Sequence, residues 1–108
     1  MSALDIDKII ALCEQEKIQY SHHALFRMIE RGIGIREAEA VIVQGNIIKE
    51  YPEDHPHPSC LMLGKNAKSQ ALHVVCGVSE DTLWLITAYY PDPDEWEPDY
   101  KTRRRQMK

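Results

Sequence analysis

Residues 35–51 read Ile-Arg-Glu-Ala-Glu-Ala-Val-Ile-Val-Gln-Gly-Asn-Ile-Ile-Lys-Glu-Tyr, and the hydrophobic period changes within them. Before Gly45, the apolar residues Ala38, Val41 and Ile42 recur at the spacing of one face of a helix. After Gly45 the period becomes two, which is typical of a strand. Helices therefore precede strands along the chain, and this order predicts an α+β protein.

Three helices are predicted on the N-terminal side of this change. They lie at about 2–17, between Ser21 and Gly32, and at about 35–44. In the first, Ser2 and Asp5 resemble a capping box. In the second, Ser21 is suited to cap the first turn, and Gly32 is suited to the left-handed residue that ends many helices.

Four strands are predicted on the C-terminal side, at 47–51, 60–63, 71–78 and 82–90. The segment 52–58 contains prolines that lack the N–H a sheet interior requires, so it is predicted to be a loop. Short connections favour antiparallel neighbours. We therefore expect the N-terminal helices to pack on one face of a four-stranded antiparallel sheet.

Two strands carry polar residues that bear on function. Alternation places Thr87 and Tyr89 on one face of the last strand. The residues expected on its other face are Trp84, Ile86 and Ala88. An odd-length turn would place His73 opposite Thr87, whereas an even-length turn would shift the pairing by one residue. The sequence leaves both registers open, and a histidine among aliphatic residues fits a structural role as well as a catalytic one.

His23, Arg27 and Arg31 follow one another at intervals of four residues, so they project from one face of the second helix. An imidazole aligned with two permanent cations suits a phosphate-bearing ligand. The alternative is a solvated face, on which Arg31 pairs locally with Glu30 or Glu37.

The composition is that of a globular protein. The chain has 108 residues, of which 44% are hydrophobic and 28% charged, and we expect one domain over 1–108. No apolar run approaches the ~20 residues that cross a bilayer, and the N-terminus lacks the features of a signal peptide. These observations predict a cytoplasmic location. The three cysteines show no C-x-x-C spacing, which predicts reduced and mostly buried thiols.

Charge is distributed unevenly near the C-terminus. The net charge of −4 argues against general nucleic-acid affinity, but residues 92–99 hold five acids and residues 101–108 hold five bases. The run Arg103–Arg105 is either a functional basic tail or a frayed, solvated terminus. Trp96 is a large apolar residue within the acidic stretch, so we expect it to dock on the body and pin 91–100, leaving 103–108 mobile.

The histidines of the proline-rich loop raise the question of a metal. His55 and His57 are close in sequence, but an exposed loop accounts for them, and no metal or cofactor is expected. A metal-dependent enzyme that uses His22, His23, His55 or His57 remains an alternative.

Several motifs together resemble a short bacterial family, domain of unknown function 4258 (DUF4258). They are His-Ala-x-x-Arg-Met-x-x-Arg-Gly-Ile over 23–33, Leu-His-Val-Val over 72–75, Ile-Thr-x-Tyr over 86–89, Pro-Asp-Pro-x-x-Trp over 91–96, and the closing pair Arg103 and Arg104. The resemblance spans roughly residues 18–105. The predicted helix over 2–17 lies outside it, and Gly34 stands where the family commonly has a Ser-type cap.

The resemblance implies a fold similar to the RelE/barnase-like ribonuclease toxins. It further implies the toxin half of a toxin–antitoxin pair, with RNA as substrate and a small zinc-finger or helix-turn-helix antitoxin as partner. The active residues it implies are His23, Arg27, Arg31, Thr87 and Tyr89, with His73 as a further candidate. The RNA-contacting residues expected are Arg27, Arg31, Arg103, Arg104 and Arg105.

The implied chemistry is physically reasonable without a metal. A 2′-hydroxyl can attack the adjacent phosphorus if a base removes its proton, an acid protonates the leaving oxygen, and cations stabilise the phosphorane. His23 suits the acid or base role, Arg27 and Arg31 suit a phosphate clamp, and Tyr89 could stack a base or act as an acid. A non-catalytic RNA-binding module and a protein-interaction domain remain open alternatives.

Overall fold

Three helices and a five-stranded sheet form the protein, whose computed structural model describes residues 4–104. In chain order they are α1 (Ile6–Glu14), β1 (Ile18–Tyr20), α2 (His22–Glu30), α3 (Ile35–Gln44), β2 (Asn46–Tyr51), β3 (Ser59–Lys65), β4 (Ala71–Val78) and β5 (Leu83–Tyr89). The sheet order is β1-β5-β4-β3-β2. Strands β2 to β5 are antiparallel neighbours, whereas β1 is parallel to β5. The α+β class is therefore confirmed, and the prediction of a four-stranded, purely antiparallel sheet is wrong.

The helix α3 begins and ends at glycines, as the change of period predicts. The backbone N–H of Gly34 donates to the Glu37 carboxylate at 3.1 Å, which replaces the missing side-chain cap. At the other end, a Cβ on Gly45 would meet the backbone carbonyl oxygens of Val41 and Leu63. Only glycine fits this close approach, so the position of Gly45 fixes how α3 turns into β2.

The caps predicted for α2 are confirmed. The Ser21 hydroxyl accepts the backbone N–H of Ala24 at 3.0 Å, and Gly32 adopts a φ of +68° beyond the last turn. Ala24 and Met28 are buried against the sheet. The opposite side of α2 is therefore free to present charged residues.

The first helix is shorter than predicted. It begins at Ile6, where the Asp5 carboxylate accepts the backbone N–H of Asp7 at 2.9 Å, and it ends at Glu14. Glu16 has a φ of +59°, which turns the chain out of the helix. The predicted helix over 2–17 is thus too long at both ends, and Asp5 is the N-cap itself and not the partner of a Ser2 cap. Ser2 lies outside the described residues.

The segment that follows α1 forms the strand β1 at one edge of the sheet. Ile18 pairs with Leu83 and Tyr20 pairs with Leu85. The Tyr20 hydroxyl donates to the Glu39 carboxylate at 2.6 Å, and burial followed by this carboxylate raises the pKa of the phenol. This bond ties the edge strand to α3.

One hydrophobic core lies between the helices and the inner face of the sheet. The strand residues that contribute to it are Cys60, Met62, Leu72, Val74, Cys76, Val78, Leu83, Leu85 and Ala88. All three cysteines are buried, which confirms this part of the prediction, and none of them forms a disulfide. Burial raises the pKa of Cys13 and of Cys60 to about 11, so both are protonated and unreactive near neutral pH.

A β-bulge at Ile86 changes the face assignments along β5. Val75 pairs with Thr87, but the next residue of β4 pairs with Leu85, so Ile86 is an extra residue in β5. Ala88 consequently lies in the core, whereas Trp84 and Ile86 are 38% and 43% exposed. The prediction that Ala88 shares a face with Trp84 and Ile86 is wrong for this reason.

Residues 91–104, here called the C-terminal segment, are held against the sheet. Trp96 is 5% exposed, which confirms that it docks on the body. Arg103 pairs with Trp96 in an isolated β-bridge, and the Arg104 side chain donates to the Pro93 carbonyl at 2.7 Å. The expectation of a mobile tail is therefore wrong for Arg103 and Arg104, and its remainder, 105–108, lies outside the described residues. None of the helices described here has the length and apolar sequence that a bilayer crossing requires.

Candidate functional site

The outer face of the sheet, which points away from the core, carries most of the candidate residues. The strand register aligns Lys49, Leu61, Val75 and Thr87 in one row across β2 to β5. The neighbouring row contains Leu63, His73 and Tyr89. His73 therefore lies opposite Tyr89 and not opposite Thr87. The pairing nearest the turn, Val78 with Leu83, would place His73 opposite Ala88, and the bulge moves its partner on by one residue. Among the cavities that residues 4–104 form, two are lined by candidate residues.

The first cavity, here called the histidine cavity, lies between the start of α2 and the loop 52–58. Its lining includes Ser21, His23, His55, His57, Trp84 and Ile86, and it encloses about 370 Å³. The His57 and Trp84 rings are stacked, with centroids 5.9 Å apart and an interplanar angle of 7°. His23 is exposed and makes no hydrogen bond or ion pair within residues 4–104. The cavity therefore combines free imidazole groups with an aromatic wall.

Arg31 joins α2 to the outer face of β5. Its guanidinium donates to the Thr87 hydroxyl at 3.2 Å and to the Ala88 carbonyl at 2.9 Å. The alternative prediction, that Arg31 pairs locally with Glu30 or Glu37, is therefore wrong. Because Arg31 remains exposed, it can still present N–H groups to an anion.

Arg27 has a different environment. Its guanidinium lies 3.3 Å from the Glu30 carboxylate, and both side chains are 46% exposed. A solvated pair three residues apart on a helix contributes little to stability and is easily exchanged for another anion. Arg27 thus shares the helix face with His23, but its charge is partly neutralised.

His73 is fully buried beneath the C-terminal segment. Its Nε2 lies 2.8 Å from the Tyr100 carbonyl, which can only accept, so Nε2 carries a proton and donates it. Its Nδ1 then accepts the Tyr89 hydroxyl at 3.3 Å. The Trp96 ring packs edge-on against the imidazole, with centroids 4.6 Å apart. Both nitrogens are therefore engaged, and burial lowers the pKa of His73.

The second cavity, here called the cationic cavity, lies between β2 and the C-terminal segment. Its lining includes Lys49, Tyr51, Tyr89, Trp96, Lys101 and Arg103, and it encloses about 400 Å³. The guanidinium carbon of Arg103 lies 5.1 Å from the centroid of the Trp96 ring. Leu61, which is 3% exposed, lies beneath it. Arg103 thus points into a concave surface.

Tyr89 connects the two arginine-bearing elements. Burial is the main cause that raises the pKa of its phenol, and Tyr51 and Glu95 act in the same direction. Arg31 and Arg103 oppose this rise, so both cations lie within electrostatic range of the same hydroxyl. Arg31, Thr87, Tyr89 and Arg103 are therefore brought into one region of the outer face.

Other predicted residues are not brought there. His23 lines the histidine cavity and not the cationic one. Arg104 interacts with Pro93 and Glu97 within the C-terminal segment. Arg105, predicted to contact RNA, lies outside the described residues. The candidate residues therefore form two groups along β5 rather than one cluster.

Sequence reasoning missed several residues that line these cavities. Lys49 and Tyr51 are two residues apart on a predicted strand, a spacing that already places them on one face. The sequence around His55 and His57 predicts only an exposed loop or, as an alternative, a metal site, and it gives no sign that the loop faces His23. Within residues 4–104, no group of three or more His, Cys, Asp or Glu side chains is arranged to hold a metal ion.

The architecture defines a small α+β protein with a concave, partly cationic outer sheet face. The model of the family described as "Domain of unknown function (DUF4258)" matches residues 20–90 of this chain. The chain therefore belongs to the DUF4258 family. Comparison with curated proteins found no match, and neither did comparison with solved structures.

Proposed function

We propose that the protein is a metal-independent endoribonuclease, the toxin of a bacterial toxin–antitoxin pair that acts in the cytoplasm. The observation that carries the proposal is the histidine cavity, where His23 shares one concave surface with His55 and His57. RNA cleavage by its own 2′-hydroxyl needs one group to take a proton and another to give one, and two imidazoles can supply both roles near neutral pH. In this proposal His23 is one partner of that pair.

The aromatic wall of the cavity supports a nucleotide as the ligand. Trp84 is exposed beside the histidines, and its ring already stacks on His57. Stacking on an aromatic side chain is the usual way in which proteins hold single-stranded bases. A base seated on this wall would bring its ribose and phosphate towards His23.

The arginines of α2 supply the charge that the reaction requires. A planar guanidinium matches two phosphate oxygens, and preorganised donors of this kind contribute ~2.7–4 kcal/mol to transition-state stabilisation. Arg31 is held by Thr87, and Arg27 follows His23 by one turn of helix. We assign them to binding the phosphate and the developing negative charge. His73, which is sealed from solvent, is assigned a positioning role through Tyr89.

A RelE/barnase-like relationship and a neutralising zinc-finger or helix-turn-helix antitoxin belong to the same proposal. The partner surface that the structure offers is α2, where Phe26 and Ile29 are 60% and 77% exposed. Large exposed apolar side chains commonly mark protein contacts. The same observation favours the second candidate, a protein-interaction domain without catalytic activity.

The test compares two neighbouring histidines in purified protein with a generic RNA. We expect His23→Ala to lower the cleavage rate about 100-fold or more, which is the usual loss when a general acid or base is removed. His22→Ala is the matched control, since His22 lies about 100° away around the helix and does not line the cavity. Unchanged cleavage by a folded His23→Ala variant would overturn the assignment.

Two further measurements separate the alternatives. Arg27→Lys should also slow cleavage, because an ammonium cannot hold two phosphate oxygens in a fork. A chelator should leave the rate unchanged, and loss of cleavage on chelation would favour a metal-dependent enzyme. If no variant and no condition gives cleavage, the interaction domain becomes the better interpretation.

A further inference from the structure

Three basic side chains line the cationic cavity, and none of them forms an ion pair with a carboxylate within residues 4–104. Lys49 Nζ lies 5.6 Å from the centroid of the Tyr51 ring, and Arg103 lies over Trp96. Within residues 4–104, the ion pairs involve Arg27 and Arg104 instead, and no acid lines the cavity. In a chain with 17 acidic and 13 basic residues, such a group of cations indicates an anionic ligand.

The C-terminal segment holds two of these cations in place. The Asp99 carboxylate accepts the backbone N–H groups of Lys101 and Thr102 at 2.9 and 3.0 Å. These two bonds are the main cause that lowers the pKa of Asp99, and the Thr102 hydroxyl and the Lys101 charge act in the same direction. The backbone N–H of Glu97 donates to the Thr102 carbonyl at 2.8 Å. This turn presents Lys101 and Arg103 on a fixed frame, and a preorganised frame lowers the entropic cost of binding.

The size and the walls of the cavity narrow the class of ligand. A volume of about 400 Å³ falls within the range of small-molecule sites. Tyr51, which lines the cavity, is half-buried. Cations beside an aromatic ring suit a phosphate that carries an aromatic base, and this combination is how proteins bind single-stranded nucleic acid.

The cavity is also well placed relative to the proposed phosphate-binding arginine. Lys49 and Thr87 lie at the two ends of one cross-strand row. Their backbones are three strand spacings apart, which corresponds to about 14 Å. Arg31 is bonded to Thr87 at the far end of this row. One extended strand of RNA lying across the outer face would therefore contact both ends.

We propose that the cationic cavity is a second nucleotide subsite, which binds one nucleotide of single-stranded RNA next to the cleavage site. Lys49, Lys101 and Arg103 contact its phosphate, and Tyr51 contacts its base. The choice of RNA rests on the proposed function, whereas the anion site rests on the cavity itself.

The experiment measures binding without cleavage. A fluorescent hexanucleotide with 2′-O-methyl groups lacks the attacking hydroxyl, and its Kd is measured by anisotropy at several salt concentrations. The variant Lys49→Ala/Lys101→Ala is compared with Lys17→Ala/Lys68→Ala, which removes the same charge from exposed lysines outside the cavity. Thermal unfolding followed by circular dichroism verifies that both variants fold.

We expect the cavity variant to raise the Kd about tenfold or more relative to its control. The slope of log K against log salt should become shallower by about 0.7 for each phosphate that the variant no longer neutralises. Tyr51→Leu should weaken binding with little change of the slope, because a ring contributes no charge. Equal affinity and equal slope for the cavity variant and its control would overturn the proposal.

Two arms separate this subsite from other outcomes. If uridine monophosphate binds as tightly as the hexanucleotide, the site serves a free nucleotide and the RNA subsite is refuted. If the wild-type protein binds the hexanucleotide through Lys49 and Lys101 but never cleaves an unmodified RNA, the result supports the subsite and refutes the nuclease function. If both double variants cleave RNA with the same KM, the result supports the nuclease function and refutes the subsite.

Discussion

Gly45 lies where two backbone carbonyls meet, and it thereby sets the angle between α3 and β2. A methyl group there would be driven against the oxygens of Val41 and Leu63, neither of which can move without shifting a helix or a strand. Gly34, at the other end of the same helix, has Glu37 Oε1 as its nearest atom at 3.9 Å. The two glycines therefore differ in how much space surrounds them.

We expect Gly45→Ala to lower the free energy of unfolding by about 2–3 kcal/mol, as overpacked sites typically do. Gly34→Ala, the matched control, should cost below about 1 kcal/mol, because only a cap position changes. Urea unfolding of both variants checks this. A Gly45→Ala variant as stable as its control would contradict the close approach.

Residue-scale predictions from sequence succeeded where one local interaction decides the outcome. Ser21 and Gly32 were identified as caps because capping depends on the residue itself and its immediate neighbours. The prediction of the sheet face that Ala88 occupies is wrong, because a single extra residue at Ile86 reverses the alternation of faces beyond it. No property of isoleucine marks it as bulged, so the sequence carries no signal of this change.

The C-terminal segment shows how one side chain can fix an element that has little regular structure. Trp96 is 5% exposed, and it packs against both His73 and Arg103. The other tryptophan, Trp84, is 38% exposed on the outer face. The two indoles therefore report on different environments.

We expect a Trp84→Phe variant, which retains only Trp96, to fluoresce at a shorter wavelength than a Trp96→Phe variant. Trp96 is shielded from water by the segment, whereas Trp84 contacts solvent. Emission spectra of the two variants, measured before and after unfolding in urea, provide the comparison. A water-exposed maximum for Trp96 in the folded protein would show that the segment is not docked.

At the scale of elements, the long strands and helices were predictable, and the short edge strand was not. The bounds Ile35–Gln44 and Ala71–Val78 agree with the sequence pattern, because each spans enough residues for a period to emerge. The strand Ile18–Tyr20 has three residues, too few to show any alternation. It exists because β5 offers an unpaired edge, which is a tertiary property.

The stability of the fold should depend on pH through His73. This residue is neutral and buried between the sheet and the C-terminal segment. Burial lowers its pKa, and Arg103 acts in the same direction, while the bond to Tyr100 opposes them. In the unfolded chain, the His73 imidazole has its ordinary pKa of 6.5. In the folded protein its pKa is lower, so it binds a proton only at a lower pH. Protonation therefore favours unfolding.

We expect stability to be retained above pH 6.5 and to fall as the pH is lowered from there towards the folded-state pKa. The contribution of His73 to the slope is at most about 1.4 kcal/mol per pH unit. His73→Gln, which can still donate to the Tyr100 carbonyl, should flatten this part of the profile. Urea unfolding between about pH 5 and pH 8 provides the measurement, and parallel profiles for the two proteins would refute the role of His73.

The candidate site could be predicted only in part from sequence. The helix spacing of His23, Arg27 and Arg31 is local and was visible. The cationic cavity joins Lys49 on β2 to Lys101 in the C-terminal segment, and these residues meet only after the sheet has formed. The pairing of His73 with Tyr89 instead of Thr87 likewise depends on a register that the sequence leaves open.

The sheet order places the first strand of the chain beside the last. Strands β2 to β5 each pair with a neighbour in sequence, so they can assemble by closing short loops. By contrast, Ile18 of β1 pairs with Leu83 of β5, which is far away in sequence. Closing so long a loop costs entropy that only a formed partner edge can offset. During synthesis from the N-terminus, β1 leaves the ribosome well before β5 exists. We therefore expect the pairing of β1 with β5 to form late in folding, after β5 has joined the sheet.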